Sequence, residues 1–330
     1  MSPTLLVTGA NSFLAGNIIM ELLNRGYNVR GMLRKTARLM ISHERLQSFY
    51  GAITKENDVI KAAKDCNIII HVASLTDQSI ADYTKYEMVN VEGTRNIIKA
   101  AKKFNVKKII YVSTANTFAY GTRTEPGNET VPAKYPFTHS GYVISKRKAQ
   151  TIILDSFKES ETEIIVVNPT FMIGPNDWKI SSNRIILRAL DSRFLLIPPG
   201  GKNFIHVKDV ATGICNAVET GKDGECYILA NVNLTYKEFY KKMFFETSKK
   251  PFLVTIPKSF LIIAGIAGNL VRYAGFNTAV NLTNMKILSI GNYYTANKAV
   301  REISLPQTPI EKAIEDTVSW FAKEKTDKSY

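Results

Sequence analysis

The chain is short of the side chains that staple small folds or hold metals. Its three cysteines, Cys66, Cys215 and Cys226, are widely separated and odd in number. They offer neither a disulfide framework nor metal-ligand spacing, so a reducing cytoplasmic setting is expected. The four histidines, His43, His71, His139 and His206, are equally scattered, and no metal site is expected. Long apolar runs are also missing. The nearest, residues 259–271, is broken by Gly265, Gly268 and Asn269 and falls short of the roughly 20 residues of a membrane span. A packed helix, a pocket wall and a monotopic membrane contact all remain open for it. Met1 to Thr4 passes straight into Leu5-Leu6-Val7, which gives the expectation of no secretory leader.

Acidic residues are scarce too: 29 Asp and Glu stand against 43 Lys and Arg, a net charge of +14. The cations are spread in pairs such as Lys102-Lys103, Lys107-Lys108, Lys241-Lys242 and Lys249-Lys250. No single basic arm with stacking aromatics stands out, so a nucleic-acid partner is not expected. A lysine-rich solvated surface with some attraction for small anions is.

What the chain does have is 330 residues, 45% of them hydrophobic, enough for a large core in one compound domain or two closely packed ones. Leu5 to Thr8 reads as a strand, Leu14 to Leu23 as a helix stopped at Gly26, and Val29 to Leu33 as a second strand. Strand, tight turn, helix, strand is the opening of a dinucleotide-binding unit, whose unpaired N–H groups at the helix start can hold a pyrophosphate. The turn, Gly9-Ala10-Asn11-Ser12-Phe13-Leu14, carries only part of the usual glycine pattern. After the second strand stand Arg34 and Lys35, with no carboxylate to hold a ribose 2′-hydroxyl. An arginine fork suits a phosphate, which favours NADP(H) over NAD(H) unless the pair is simple surface charge.

The alternation continues. Asn67 to Val72 is a strand entering Ala73-Ser74, and Lys85 to Phe104 is one long helical pattern. Lys108 to Val112 is a strand ending at Ser113-Thr114, and Ile164 to Val167 one ending at Asn168-Pro169. Such a series predicts a parallel sheet covered on both faces, with ligands beyond the carboxyl ends of its strands. Between the last two strands lies Gly141-Tyr142-Val143-Ile144-Ser145-Lys146. Tyr142 and Lys146 are an i,i+4 pair on one helix face. A lysine kept protonated by a bound cofactor would lower the tyrosine pKa and make it an acid or base usable near neutrality. Alone, Tyr-x-x-x-Lys is a weak signal; its place among these strand ends strengthens it.

Beyond Phe171 the alternation loosens. His206 to Ala217 reads as a helix, Glu225 to Leu229 as a strand, Tyr236 to Phe245 as amphipathic, and Ile310 to Phe321 as a terminal helix. The expected fold is α/β: a Rossmann-type doubly wound parallel sheet with a smaller mixed C-terminal substrate lobe. The dinucleotide-binding domain would comprise residues 1–170 with 203–225 returning to it, and the substrate lobe mainly 171–202 and 226–330.

Taken together, Gly26-Tyr27 to Arg34, Asn168-Pro169 to Gly174-Pro175, Phe204-Ile205-His206-Val207 with Asp209-Val210, and Gly224 to Leu229 make the chain resemble the extended short-chain dehydrogenase/reductases. This is also called the NAD-dependent epimerase/dehydratase family. Within it the chain looks most like dihydroflavonol-4-reductase-like and hopanoid-associated sugar-epimerase-like proteins. The resemblance implies Tyr142 as acid/base, Lys146 as its partner and ribose ligand, Thr114 as the hydroxyl that orients the substrate oxygen, and Asn90 in support. It implies Gly9, Asn11, Ser12, Phe13 and Leu14 at the pyrophosphate, and Arg34 with Lys35 at the 2′-phosphate. Ala73, Val112, Pro169 and Thr170 would line the track from adenine to nicotinamide. A homodimer is a family expectation.

Three departures stand out. Ser12 and Ala15 replace glycines, Ala52 replaces an aspartate used toward adenine, and Ala115-Asn116 replaces the Asp-Glu pair of sugar dehydratases. Lys202 stands where many nucleotide-sugar enzymes have an arginine. The expected activity is reversible reduction of an aldehyde or ketone with NADP(H), or alternatively epimerisation of a sugar or nucleotide sugar. A non-catalytic dinucleotide sensor is the reading from outside enzymology. The apolar residues 252–276 hint at a partly hydrophobic pocket, unless they are core or dimer contacts.

Overall fold

A computed structural model describes residues 3–158, 160–247 and 251–327, so the Lys249-Lys250 pair lies outside the described residues. Seven strands form one sheet in the spatial order Cys226–Leu229, Glu163–Pro169, Lys108–Val112, Ile68–His71, Thr4–Thr8, Asn28–Leu33, Leu46–Tyr50. Every pairing in it is parallel. The strands read as near-continuous apolar runs, Ile-Ile-Ile-His among them, because helices cover both faces. One apolar layer packs the helices Phe13–Asn24 and Val207–Thr220 on the sheet; the other packs Glu56–Ala63, Gly93–Phe104 and Gly141–Asp155. This is the Rossmann-type architecture expected. Strand order reverses between Thr4–Thr8 and Ile68–His71, which opens a crevice at their carboxyl ends.

A second sheet joins Val232–Thr235, Gly201–His206 and Gly291–Asn292, with Phe171–Ile173 also paired to Gly201–His206. Its core gathers Phe204, Phe239 and Met243 against the terminal helix Ile310–Asp327 through Ile310 and Ile314. A separate parallel pair joins Phe194–Ile197 to Phe252–Thr255.

Several details differ from the sequence expectations. The strand Cys226–Leu229, placed in the smaller lobe, is an edge of the large sheet, since its apolar side chains complete that sheet's buried faces. Residues 201–206, partly assigned to the returning segment, form a strand of the second sheet. The following helix starts one residue later than expected, at Val207, because His206 caps it: the ring accepts a hydrogen bond from the Lys208 N–H at 3.0 Å. The helix expected from Lys85 begins at Tyr83 and contains a π-helical turn, Glu87–Glu92. Within 252–276, Phe252, Phe260, Ile263, Ile266, Leu270 and Phe276 all face outward, while Leu261 is buried.

Candidate functional site

The site is built at the carboxyl ends of the central strands. Gly9 closes Thr4–Thr8 with φ at +68°, and a Cβ there would lie 3.0 Å from the Ala73 Cα. Only glycine meets both demands, and its tight turn aims the first N–H groups of Phe13–Asn24 into the crevice. Ser12, by contrast, has ordinary extended backbone, φ −89° and ψ 160°. No glycine is needed there. Its hydroxyl folds back to accept the Ala15 N–H at 3.4 Å, capping the helix. The turn and helix start thus keep a regular backbone despite the missing glycine.

Arg34 and Lys35 stand exposed immediately beyond Asn28–Leu33. A third cation joins them from far along the chain. Residues 174–183 cross the outer side of the Phe13–Asn24 helix, where Asn17 donates to the Pro175 carbonyl (3.2 Å) and Asn176 donates to the Asn17 amide oxygen (3.1 Å). The Trp178 ring seats against Gly16, where a Cβ would lie 2.9 Å from it. The fully buried Asp177 carboxylate knits this crossing segment together by accepting from the Ser181 and Asn183 N–H groups at 2.8 and 3.3 Å. Lys179 lies on it, its pKa lowered by burial and then by the positive charge of Arg34. The like charges of Arg34 and Lys179 mark a place where an anion would relieve repulsion. Sequence reasoning missed Lys179, for which only the Gly174-Pro175-Asn176 turn gave any local signal.

Tyr142 and Lys146 project from the first turns of Gly141–Asp155. The buried Lys146 ammonium donates to the Val112 carbonyl at 2.7 Å and lies 4.4 Å from the Tyr111 ring centroid. The Tyr142 phenol is within hydrogen-bonding reach of the Thr114 side chain. Burial pushes the phenol up to about 12, with Thr114 pulling the other way, and pushes Lys146 down to about 7. The chain's own residues therefore do not lower the tyrosine pKa as a charged neighbour would: desolvation drives both groups toward neutrality.

Buried hydrogen bonds fix these groups. Asn168 donates to the Thr114 carbonyl at 3.1 Å and to Thr117 and Gln150 at the same distance, bracing the loop that carries Thr114. The π-helical turn swings Asn90 so that it exchanges bonds with Leu75, accepting at 2.7 Å and donating at 3.1 Å, while also donating to Ser145 Oγ at 2.9 Å. Ser145 in turn donates to the Tyr142 carbonyl at 2.8 Å. Behind this runs a second chain. Thr8 Oγ1 accepts from the Val72 and Ala73 N–H groups, so its own proton goes to His71 Nδ1 at 2.8 Å. His71 then carries its proton on Nε2, toward Thr94 Oγ1 at 3.2 Å, and Thr94 donates to the Asn90 carbonyl at 2.7 Å. Burial, with the nearby Lys146 charge, holds His71 neutral with its pKa at about 3. His71 and Ser145 were given no role in sequence, and Asn168 was marked only as ending a strand, because nothing local shows which polar side chains a fold will bury together.

Asn11, Phe13 and Leu14 lie in the first turn, Ala73 beside Gly9, and Val112 beneath Lys146, all at the strand ends. Pro169 ends its strand there as well. Thr170 is directed to the second sheet: its hydroxyl contacts Asn203 Oδ1 at 2.8 Å and the Leu229 carbonyl at 3.1 Å. The carboxylate absent at Ala52 is not replaced in kind, since nearby Asp58 is occupied in accepting the Ala52 N–H at 2.9 Å. Toward the second sheet, Asn292 donates to Asn116 at 3.2 Å, and the neighbouring Lys202 lies 5.0 Å from the Phe171 ring, its pKa pushed down to about 8 by burial. Among the described residues no cluster of three metal-ligating side chains occurs. A groove of about 670 Å³ opens beside the 119–134 loop, but none of the residues above lines it.

This arrangement has known counterparts. The chain is 28% identical over 327 residues to a putative dihydroflavonol 4-reductase of Synechocystis sp., covering 97% of this chain and 95% of that protein. Its fold matches the crystal structure of gox2253 with a TM-score of 0.85 at 28% identity, covering 98% and 99% of the two chains. It also matches the UDP-glucose 4-epimerase of Thermus thermophilus in complex with NAD, with a TM-score of 0.78 at 17% identity over 97% and 99%. The model of the NAD dependent epimerase/dehydratase family matches residues 5–232, the span that carries the glycine turn, the Tyr142–Lys146 helix and all seven strands of the large sheet, and the chain belongs to that family.

Proposed function

We propose that the chain is an NAD(P)-dependent enzyme acting on a secondary alcohol or its carbonyl, with Tyr142 as the acid/base. The observation that carries this is the meeting of Thr114, Tyr142 and Lys146 at the end of one strand, beside a glycine turn shaped for a pyrophosphate. A bound nicotinamide supplies or accepts the hydride. In reduction, Tyr142 gives its proton to the carbonyl oxygen while the Thr114 hydroxyl holds that oxygen in line. In oxidation the proton returns to Tyr142. Lys146, held by the Val112 carbonyl, stabilises the phenolate form and reaches the ribose. Residues 1–170 with 203–225 hold the dinucleotide, and the later segments shape the substrate pocket. Arg34, with Lys35, favours NADP(H).

Two outcomes share this chemistry. Net reduction of an aldehyde or ketone agrees with the reductase-like relative. Epimerisation, in which hydride is taken and returned on the opposite face of a sugar, gains support from the solved epimerase with its NAD and from Lys202 near the arginine position of nucleotide-sugar enzymes. No feature specific to the hopanoid-associated proteins adds to either. Incubation of purified protein with NADPH or NADH and a panel of carbonyl compounds and UDP-sugars separates them. Stoichiometric loss of reduced cofactor marks the reductase; retained cofactor with a changed sugar stereocentre marks the epimerase. Tyr142→Phe is expected to lower either turnover by about 10²-fold or more while binding of dinucleotide persists. Unchanged turnover in that variant defeats the proposal, and loss of turnover with intact binding removes the non-catalytic sensor.

A further inference from the structure

The helix Lys258–Tyr273 is apolar on the wrong side for a core element. Its inner face, Leu261, Gly265 and Gly268, packs on the following segment so closely that a Cβ at Gly268 would lie 1.5 Å from the Val280 carbonyl oxygen. The opposite face presents Phe260, Ile263, Ile266 and Leu270, each more than half exposed, and continues to Tyr273 and Phe276. These positions fall on one stripe of a helix. The two residues before the helix connect it to the strand Phe252–Thr255, where Phe252 and its partner Phe194 are also exposed. A stripe this large on a folded chain marks a contact surface.

Charge indicates with what. Residues 247–301 contain Lys249, Lys250, Lys258, Arg272, Lys286, Lys298 and Arg301 and not one Asp or Glu. That sixth of the chain supplies half of its net +14. Lys298 and Arg301 are paired with Glu225 and Glu302, which leaves Lys258 at the start of the helix, Arg272 in its last turn and Lys286 without a carboxylate partner among the described residues. A second copy of the chain would set these cations against themselves. A protein partner would be expected to find hydrogen-bonding groups around the stripe. From Phe260 to Val271 the one polar side chain is Asn269, already accepting the Leu282 N–H at 3.1 Å. At 16 residues the helix is too short to span a bilayer, and among the described residues no helix is long and apolar enough to cross one.

We propose that the outer face of Lys258–Tyr273 docks flat on an anionic lipid surface, its aliphatic and aromatic side chains entering the acyl boundary and the exposed Lys258 at its start meeting lipid phosphates. The docking would also present the cleft to the bilayer. Arg272 and Asn284 clasp the Gln78 carbonyl at 2.7 and 3.3 Å, on the loop whose Leu75 is held by Asn90, and Ile287 packs in one cluster with Phe137, Val143 and Tyr142. The contact itself does not depend on the reaction proposed above.

Flotation of the full chain with vesicles of phosphatidylcholine, and of equal parts phosphatidylcholine and phosphatidylglycerol, tests it without any activity assay. The protein is expected to float with the anionic vesicles and far less with the neutral ones. The double variant Ile263→Glu/Leu270→Glu, both on the solvent face, is expected to lose more than about tenfold in vesicle binding with an unchanged melting temperature. Wild-type protein that stays below the anionic vesicles overturns the proposal. So does a double variant that floats as well as wild type. A wild-type dimer that the same substitutions dissolve, with no flotation of either form, assigns the stripe to self-association and overturns it equally.

Discussion

At the residue scale the site is a problem of desolvation. Lys146 is buried against a carbonyl and a ring, and burial takes its pKa down to about 7 while taking the Tyr142 phenol up to about 12. Desolvation therefore favours the protonated phenol and the uncharged amine. The phosphates of a bound dinucleotide add negative charge to the crevice, and negative charge raises an amine's pKa. At about pH 8 binding should then proceed with net proton uptake. Calorimetric titration of NADPH, whose nicotinamide ring is uncharged, in two buffers of different ionisation enthalpy measures it, and Lys146→Met should abolish the uptake and most of the turnover. Equal heats in the two buffers for wild-type protein would reject this account of Lys146. The pair itself was legible in the sequence because its partners are one helical turn apart. Its pKa values were not, since they depend on what the sheet and its covering helices exclude.

At the element scale, two local departures have local causes. Ser12, which the family pattern made doubtful, is the N-cap of the first helix and needs no special backbone. Replacing the cap with Ala should cost about 1 kcal/mol of stability, and with Gly only a few tenths, since glycine caps nearly as well. Ser12→Gly should accordingly keep dinucleotide affinity, because the hydroxyl is directed to Ala15 and not into the crevice. Denaturant unfolding and fluorescence titration of both variants check the two halves; a clear loss of affinity in Ser12→Gly would make the hydroxyl a ligand after all. The π-helical turn at Glu87–Glu92 lies at the opposite extreme of legibility. Its one extra residue per turn leaves the apolar spacing readable as one helix, yet it is what carries Asn90 to both Leu75 and Ser145.

At the scale of the whole molecule, alternation of apolar strands and helices made the large parallel sheet readable, because each strand is buried on both sides and its sequence says so. What could not be read is how distant segments cross. Residues 174–183 reach over the first helix and bring Lys179 toward Arg34, though the two are separated by most of the first domain in sequence. The carboxylate-free stretch 247–301 is different: its lack of acids was open to counting, but only the exposed face of Lys258–Tyr273 gives it meaning.

The crossing segment leads to a prediction about cofactor choice. If Arg34 and Lys179 together hold a 2′-phosphate, each removal leaves a charged oxygen with one fewer donor, a loss of about 1.5–3 kcal/mol or roughly tenfold and upward in affinity. Arg34→Ala and Lys179→Ala should each weaken NADPH by such a factor and leave NADH nearly untouched. Because both cations act on one anion, the double variant should lose less than the product of the two single effects. Titration of the four proteins with both cofactors gives the whole cycle. Equal losses for NADPH and NADH in Arg34→Ala would take the 2′-phosphate away from that side chain, and a Lys179→Ala variant with wild-type preference would show that the crossing segment clamps the first helix without reading the cofactor.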